Sequence, residues 1–335
     1  MSKRALTSRD IAKLAGVSQT TVSRVLQGSD LVLPKTRQEV LDVIARLGYL
    51  PSPAARSMRT RRTNTVALVV ANLALNPLYP VMLQLLSSAL RRKGLYASVW
   101  EAENFDEETM HALSETPVDG VIVATAMDSA LPFLMRIAER KPLILVNRTV
   151  VSDLFDQISS DNVAGGALVA RYFDEHSRRR VGLITTASQP CPSPIRDREA
   201  GYTAELLRRG IRMDEDAIVR VAHFSYQTGF EAAQTLLERN NPDSIFCVND
   251  IIAIGALDGA RALDAAIPGD LWVVGYDDIP MCAWRSIGLT TVRVPIEAMV
   301  DAAVGRLCER LESNSIPARN ILLPNEIVFR NSSGQ

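Results

Sequence analysis

The chain has 335 residues, of which 47% are apolar and 22% charged, with 18 Gly, 17 Pro and no low-complexity tract. That length predicts about two domains with room for a small extra module, and the composition excludes collagen-like and disordered classes. The net charge of −1 hides an asymmetry: residues 1–62 carry twelve Lys and Arg against four Asp and Glu, net +8, and the remaining 273 carry 25 against 34, net −9.

A basic head of this kind suits phosphate neutralisation on nucleic acid, although a merely solvated charged face gives the same count. The most apolar strand-like stretch, Val66 to Ala71, stops at Asn72, far short of the roughly 20 residues that span a bilayer. The first ten residues place Lys3 and Arg4 ahead of Thr7, Ser8, Arg9 and Asp10 and contain no apolar h-region. The expectation is therefore a cytoplasmic, nucleoid-associated protein with no membrane partner. Cys191, Cys247, Cys282 and Cys308 form no Cys-x-x-Cys pair, and His111, His176 and His223 are scattered, so a reducing compartment, no metal site and no cofactor are expected.

In the head, Ser8 is placed to cap a first helix with Ile11, Leu14 and Ala15 at helical spacing, and Gly16 supplies a left-handed stop. Ser18 is placed to cap a second, Gln19 to Leu26, with Val22, Val25 and Leu26 inward and Gln19, Thr20, Thr21, Ser23 and Arg24 outward. A third runs from Lys35, after Pro34, to Leu47, with Val40, Leu41, Ile44 and Leu47 as its apolar stripe and Gly48 beyond its end. A helix, a Gly-containing turn and a polar-faced second helix make a helix-turn-helix, whose second helix fits the major groove. Gln19 and Thr20 would meet base edges first, and Arg24 carries the donor fork that matches guanine. Ser18, Thr21 and Ser23 suit phosphate contacts, which orient without reading sequence. The alternative is a helical mini-domain with surface polar residues and nothing more.

The run Thr7, Asp10, Ile11, Ala12, Ala15-Gly16-Val17-Ser18 and Thr21-Val22-Ser23-Arg24-Val25-Leu26 resembles the DNA-binding head of the lactose-repressor/galactose-repressor (LacI) family. The resemblance continues through Val40, Ile44, Leu47-Gly48-Tyr49 and Pro51 into Pro53-Ala54-Ala55-Arg56-Ser57-Met58-Arg59, which is similar to the family's hinge helix, and on through essentially the whole core. Gln27 stands where the family more often has Asn. The resemblance implies a homodimer reading a palindromic operator in double-stranded DNA, with Thr7, Ala55 and Met58 among the DNA-contacting residues. Residues 54–59 are too few for a stable isolated helix, because nucleation is costly. In the family, paired hinge helices order on operator DNA and a Leu wedges into the central minor-groove step; Met58 falls at that position. The alternative for this stretch is a plain basic linker.

After Thr65, short apolar runs alternate with amphipathic stretches, the pattern of a parallel sheet covered by helices. Predicted strands are Val66 to Ala71, Tyr96 to Trp100, Val118 to Ala124, Leu143 to Asn147, Val181 to Thr185, Ser244 to Val248 and Leu271 to Tyr276. Predicted helices include Tyr79 to Lys93, Val163 to Glu175, Arg198 to Arg209, Tyr226 to Arg239 and Ile251 to Leu263. The fold class expected is a small all-α helix-turn-helix head plus an α/β core of two doubly wound subdomains. Its segments are 1–52 (head), 53–64 (hinge helix and linker) and 65–335 (core), with crossings between subdomains near 161 and 289–294.

Ligands on doubly wound sheets sit outside the carboxyl ends of the strands. Asn147, Asn249-Asp250 and Asp277-Asp278 fall there, Asn76-Pro77-Leu78-Tyr79 opens the helix after the first strand, and Arg198 starts another helix. Singly, such an Asp or Asn is more often a helix cap than a ligand contact. Asn249-Asp250, Gly275-Tyr276-Asp277-Asp278 and Leu289-Thr290-Thr291-Val292 are also similar to runs in the same family, whose core resembles periplasmic sugar-binding proteins. By that resemblance Arg198, Asn249 and Asp277 clamp a small effector, Phe224 stacks on it, and Leu78 and Tyr79 wall it. Asn147 stands where many members have Asp, and its amide donates as well as accepts. Such a clamp suits a hydroxylated effector such as a sugar or sugar acid, and a purine would use similar residues. Tetrameric members carry a long apolar heptad tail; after the last predicted strand, near Phe329, only Arg330 to Gln335 follow, so a dimer is expected.

These readings predict an allosteric transcription regulator acting as a repressor. An enzyme is disfavoured because the chain has no Gly-x-Ser-x-Gly elbow, no phosphate-binding Gly-rich loop ending in Lys-Ser or Lys-Thr and no Gly-x-Gly-x-x-Gly after the first strand. A secreted sugar-binding protein is disfavoured by the basic head. The Pro-rich stretch Ser188 to Pro194 lies near the expected pocket mouth and has no assigned role.

Overall fold

The structure, a computed structural model, describes residues 6–26, 29–49, 62–71, 73, 76–102, 107–189 and 191–334. It falls into two compact units, Met1–Thr63 and Asn64–Gln335. The first holds α1 (Ser8–Leu14), α2 (Gln19–Leu26) and α3 (Pro34–Leu47) around a small core in which Ile11, Val22 and Val40 are fully buried. Gly16 and Gly48 have φ of +64° and +58° and end their helices in the left-handed region.

The cap of α1 differs from expectation. It is Thr7, not Ser8: Thr7 and Asp10 form a reciprocal capping box, with the Thr7 N–H donating to the Asp10 carboxylate at 2.8 Å. Three residues after Ser8 stands Ile11, which has no acceptor to return, whereas three after Thr7 stands Asp10. Ser18 does cap α2, its hydroxyl accepting from the Thr21 N–H at 3.0 Å. Leu14, Leu26 and Leu41, expected on buried stripes, lie outward, Leu14 at 54% exposure. Three short helices enclose little volume, so the buried stripes narrow to Ile11 with Ala12, Val22 with Val25, and Val40 with Val43.

The second unit contains two six-stranded sheets. The first is formed by β1 (Thr65–Val70), β2 (Tyr96–Glu101), β3 (Gly120–Val123), β4 (Leu143–Val146), β5 (Asp156–Ser160) and β11 (Asn320–Leu323), in the order β11-β5-β4-β3-β1-β2 with every pair parallel. The second is formed by β6 (Val181–Thr186), β7 (Ile218–Val221), β8 (Ser244–Cys247), β9 (Trp272–Asp277), β10 (Thr290–Arg293) and β12 (Glu326–Val328), in the order β12-β10-β9-β8-β6-β7. Only β12 runs antiparallel, against β10. Helices α4 (Leu78–Arg92), α5 (Glu107–Glu115), α6 (Leu131–Ala138), α7 (Asn162–Glu175), α8 (Ser193–Arg208), α9 (Tyr226–Arg239), α10 (Asp250–Arg261) and α11 (Ile296–Glu312) alternate with the strands. This is the two-subdomain α/β core that the alternation predicted.

The central strands are continuous apolar runs, as burial on both faces requires: Val66 to Val70 are all buried. The chain passes between the sheets at three places: Asp161, Val294-Pro295 and Pro324-Asn325. Residues 290–293, expected as a crossing, are instead strand β10 of the second sheet, and the passage follows them. The last crossing was not foreseen, because β11 and β12 are short and half exposed. Helix α8 begins at Ser193, five residues before the expected Arg198; Pro194 near its start fits a helix's first turn, where no N–H partner is needed.

Helices α7 and α8 touch backbone to backbone. A Cβ built on Gly166 would lie 2.1 Å from the carbonyl oxygen of Arg198, and one on Gly201 would lie 1.9 Å from that of Val163. Side chains at either position would force the pair apart and carry Arg198 with α8.

Strand β5 reads Asp-Gln-Ile-Ser-Ser, yet all five residues are buried. Its polarity is satisfied internally. Asp156, at 0% exposure, accepts from Arg306 Nε at 2.8 Å, from Arg310 Nε and from the Arg319 N–H at 2.9 Å. Both arginines belong to α11, which packs against α4 and strands β3 to β5. The carboxylate thus fixes the returning helix to the first sheet. Asp156→Ala would leave the buried Arg310 without its carboxylate partner and Arg306 with Glu309 alone, and breaking a buried pair in this way costs about 3–5 kcal/mol. A correspondingly lowered urea midpoint of the core transition is expected; an unchanged midpoint would show that the cluster contributes nothing to stability.

Candidate functional site

In the head, Ser18, Gln19, Thr20 and Arg24 are exposed along one side of α2, with Thr21 and Ser23 half-buried beside them. Thr7, the cap of α1, is exposed as well. Gln19 is held from α1: its Nε2 donates to the Ser8 hydroxyl at 2.9 Å, and its Oε1 accepts from Arg9 Nε at 3.4 Å. Ser8 and Arg9 were not singled out from the sequence as neighbours of this face, since the contact joins two helices. Ala55 and Met58, in the expected hinge helix, lie outside the described residues.

In the core, a cavity of about 410 Å³ opens between the two sheets at the carboxyl ends of their strands, within the usual size range of small-molecule sites. Leu78, Tyr79, Asn147, Arg198, Phe224, Asn249 and Asp277 all line it. Asn76, which the strand-end reading places near the ligand without a role, lines it too, as do Thr125, Arg148, Thr186 and His223, which were not among the residues expected to bind. Arg148 stands beside the expected Asn147 in sequence, which is the signal that could have found it.

Arg198 is the most enclosed of these groups, at 2% exposure. Its Nη2 pairs with Asp277 Oδ1 at 2.9 Å, Nη1 donates to the Val248 carbonyl at 2.6 Å, and Nε donates to Asn162 Oδ1 at 2.9 Å. Its guanidinium carbon lies 3.7 Å from the centre of the Tyr276 ring. Every nitrogen of the guanidinium is engaged, as a buried charge demands. Asp277 Oδ2 accepts from Asn76 Nδ2 at 3.0 Å, so the pair reaches the opposite subdomain.

Asn249 carries two tasks. Its Oδ1 caps α10 by accepting from the Ile252 N–H at 3.0 Å, which leaves its amide nitrogen available to the cavity. Asn147 is 2% exposed and its Oδ1 has no partner among the described residues. Asn147, Asp277 and Asp278 have φ of +60°, +116° and +56°. Non-glycine residues held there store backbone strain, which collects where a site needs a fixed geometry.

The Pro-rich stretch closes the same cleft. Pro192 and Pro194 line it, and the Ser193 hydroxyl accepts from the Thr149 N–H of the opposite subdomain at 3.0 Å. Arg196 reaches Asp128 of that subdomain at 3.2 Å.

Behind Asp277 lies Asp250, wholly buried, whose carboxyl is pushed up to about 8, first by burial and then by the neighbouring Asp277 charge. It accepts from the Thr291 hydroxyl and from the Ile279 N–H at 2.9 Å. Among the described residues no group of His, Cys, Asp and Glu could hold a metal ion, all four cysteines are free, and no helix is long and apolar enough to cross a membrane.

The fold and site together define a helix-turn-helix head attached to a core of the periplasmic-binding-protein type. Comparison with known proteins agrees: a family model described as bacterial regulatory proteins, lacI family, matches residues 7–52, and one described as a periplasmic binding protein-like domain matches residues 170–333. The HTH-type transcriptional regulator DegA of Bacillus subtilis (strain 168) is 31% identical over 97% of both chains. The HTH-type transcriptional regulator CelR of Thermobifida fusca is 32% identical over 96% of both. The ribose operon repressor of Haemophilus influenzae is 29% identical over 97% of this chain and 98% of its own.

A solved complex of the regulator CelR with cellobiose superposes with a TM-score of 0.73 at 30% identity, covering 98% of this chain and 99% of the other. The fold is also that of the lac repressor dimer bound to operator and the anti-inducer ONPF, with a TM-score of 0.88 at 24% identity over 99% and 100% of the two chains. The chain belongs to the LacI family and is a DNA-binding transcriptional regulator rather than an enzyme.

Asp250 makes stability depend on pH with a defined sign. A carboxyl whose folded value is about 8 against an ordinary 3.8 stabilises fully below the lower value, and that stabilisation is lost as pH rises through the upper one. The core's thermal midpoint should therefore fall from about pH 4 towards pH 8 through this group. Asp250→Asn, neutral throughout, should flatten that slope; an unchanged slope would assign the effect elsewhere.

Proposed function

We propose that this regulator is a repressor that binds a palindromic operator as a homodimer and responds to a small hydroxylated metabolite such as a sugar or sugar acid. The observation that carries the reading is the cavity, where a buried Arg-Asp clamp from one subdomain is joined through Asn76 to the other, beside the aromatic Phe224. A ligand clamped by groups from both sides favours the closed arrangement, and closure changes the placement of whatever precedes Thr65. The names of the relatives support a ligand of this class: one represses a ribose operon and another was solved with cellobiose. Coupling is reciprocal, so operator DNA changes effector affinity by the same factor as effector changes operator affinity.

On this reading residues 1–52 recognise DNA, 53–64 form the hinge and 65–335 bind effector and partner subunit. Gln19, Thr20 and Arg24 meet base edges, Thr7, Ser18, Thr21 and Ser23 meet phosphates, and Ala55 and Met58 act at the central minor-groove step. The edge of the first sheet, where β2 presents Tyr96 and Val99 at 66% and 54% exposure with its outer backbone edge unpaired by any other strand of the described residues, is the surface on which this reading would seat the second copy. The protein works in the cytoplasm on the nucleoid.

Selection of bound duplexes from a random pool at physiological salt tests this directly. Enrichment of a palindrome with a flexible central step is expected; salt-sensitive binding without sequence preference would overturn the operator reading. On the selected site Arg24→Ala should cost about 1–3 kcal/mol and relax preference at one position. Equal weakening on all DNA would instead make Arg24 a phosphate contact. Arg198→Ala should retain operator binding and lose the effector response, and a normal response in that variant would remove Arg198 from the site.

A further inference from the structure

The charges around the cavity do not balance. Two guanidinium groups line it, Arg148 and Arg198, and one carboxylate, Asp277. That carboxylate is taken up by Arg198 at 2.9 Å and by Asn76 at 3.0 Å. Nearby carboxylates are occupied elsewhere: Asp278 by Arg293 and Arg330, each at 2.7 Å, and Asp128 and Asp197 by Arg196, each at 3.2 Å. Asp250 sits behind Asp277 and is held largely protonated near neutral pH by burial and by that neighbour.

Arg148 faces no carboxylate among the described residues. Its Nη2 donates to the Tyr79 hydroxyl at 2.8 Å and its Nη1 to the carbonyl of Asn147 at 3.0 Å, both uncharged acceptors. Those bonds fix the guanidinium in place. Its Nε is shut off from solvent and has no partner among the described residues. The neighbouring Asn147 supplies an amide rather than a second carboxylate. The site therefore offers one pre-positioned guanidinium with no counter-charge among the described residues, in a partly enclosed cleft where a charge-assisted bond is strengthened.

We propose that the effector is an anion: a hydroxylated scaffold, held by the Arg198-Asp277 clamp, whose carboxylate or phosphate group is received by Arg148. This rests on the sugar-like effector reading above and narrows it to charged members of that class. The hydroxyls meet the side-chain amides of Asn147 and Asn249, and the anionic group meets the cation that lacks a counter-charge.

Isothermal titration of the full-length protein, at constant ionic strength, tests this with matched probes: glucose against glucuronate and glucose 6-phosphate, and galactose against galacturonate. At least one anionic probe is expected to bind tenfold or more tightly than its neutral parent. A uronate in that role identifies a carboxylate as the group, and glucose 6-phosphate identifies a phosphate. Arg148→Gln should erase the preference by weakening the anionic probe and not its neutral parent, and Arg148→Lys should restore part of it.

Neutral parents binding as well as or better than their acids would overturn the anion proposal and leave the sugar reading intact. Binding of none of these probes together with binding of hypoxanthine would overturn both. A preference for the acid that survives Arg148→Gln would overturn the assignment to Arg148.

Discussion

One buried ion pair gathers the elements around the cavity. Arg198 and Asp277 are both withdrawn from water, and the cost of desolvating them is offset because each nitrogen of the guanidinium has a polar partner and its face lies on an aromatic ring. Those acceptors come from different places: Asn162 opens α7, Val248 follows β8 and Asp277 ends β9. Losing the pair would leave several elements without a common point of attachment. The same pair reaches Asn76 in the facing subdomain, so the interaction that organises one half also reports on its distance from the other.

This clamp is wired to the crossings. The Tyr276 ring beneath Arg198 carries a hydroxyl that accepts from Asn325 Nδ2 at 2.9 Å, and the same amide donates to the Asp161 carbonyl at 2.7 Å. Asp161 and Asn325 lie on two of the three passages between sheets. Gly165 makes room for this contact, since a Cβ there would lie 2.0 Å from the Tyr276 hydroxyl. Two crossings and the groups that line the cavity are thus two hydrogen bonds and one ring apart.

Most of this was legible in the sequence where the physics is local. Apolar runs such as Val66 to Val70 announce buried parallel strands, Gly16 and Gly48 announce helix ends, and strand-end polar residues announce the cleft. All seven residues expected to bind effector line one cavity, although their role there rests on the proposal and not on their position. What escaped was non-local. Strand β5 is polar in sequence and buried because Arg306 and Arg310, about 150 residues away, satisfy Asp156. Helix α11, which carries both arginines, went unnoticed, and so did β7, whose residues are only partly buried. The cap of α1 turned on which hydroxyl has a carboxylate three residues ahead, a distinction between adjacent residues. The hinge, with Ala55 and Met58, was read from resemblance to the family and falls outside the described residues.

The glycine contact between α7 and α8 bears on how such a protein can change its ligand. Helices meeting main chain to main chain leave no side-chain layer to repack, so the second subdomain behaves as a nearly rigid body and a differently shaped ligand cannot be absorbed by its interior. On the proposed effector role, new specificity would come from the strand-end segments that line the cleft. If the cleft is the effector site, a mutational library confined to the wall residues that make no contact with the crossings would retune recognition, whereas one spread through these helices would mostly break the scaffold.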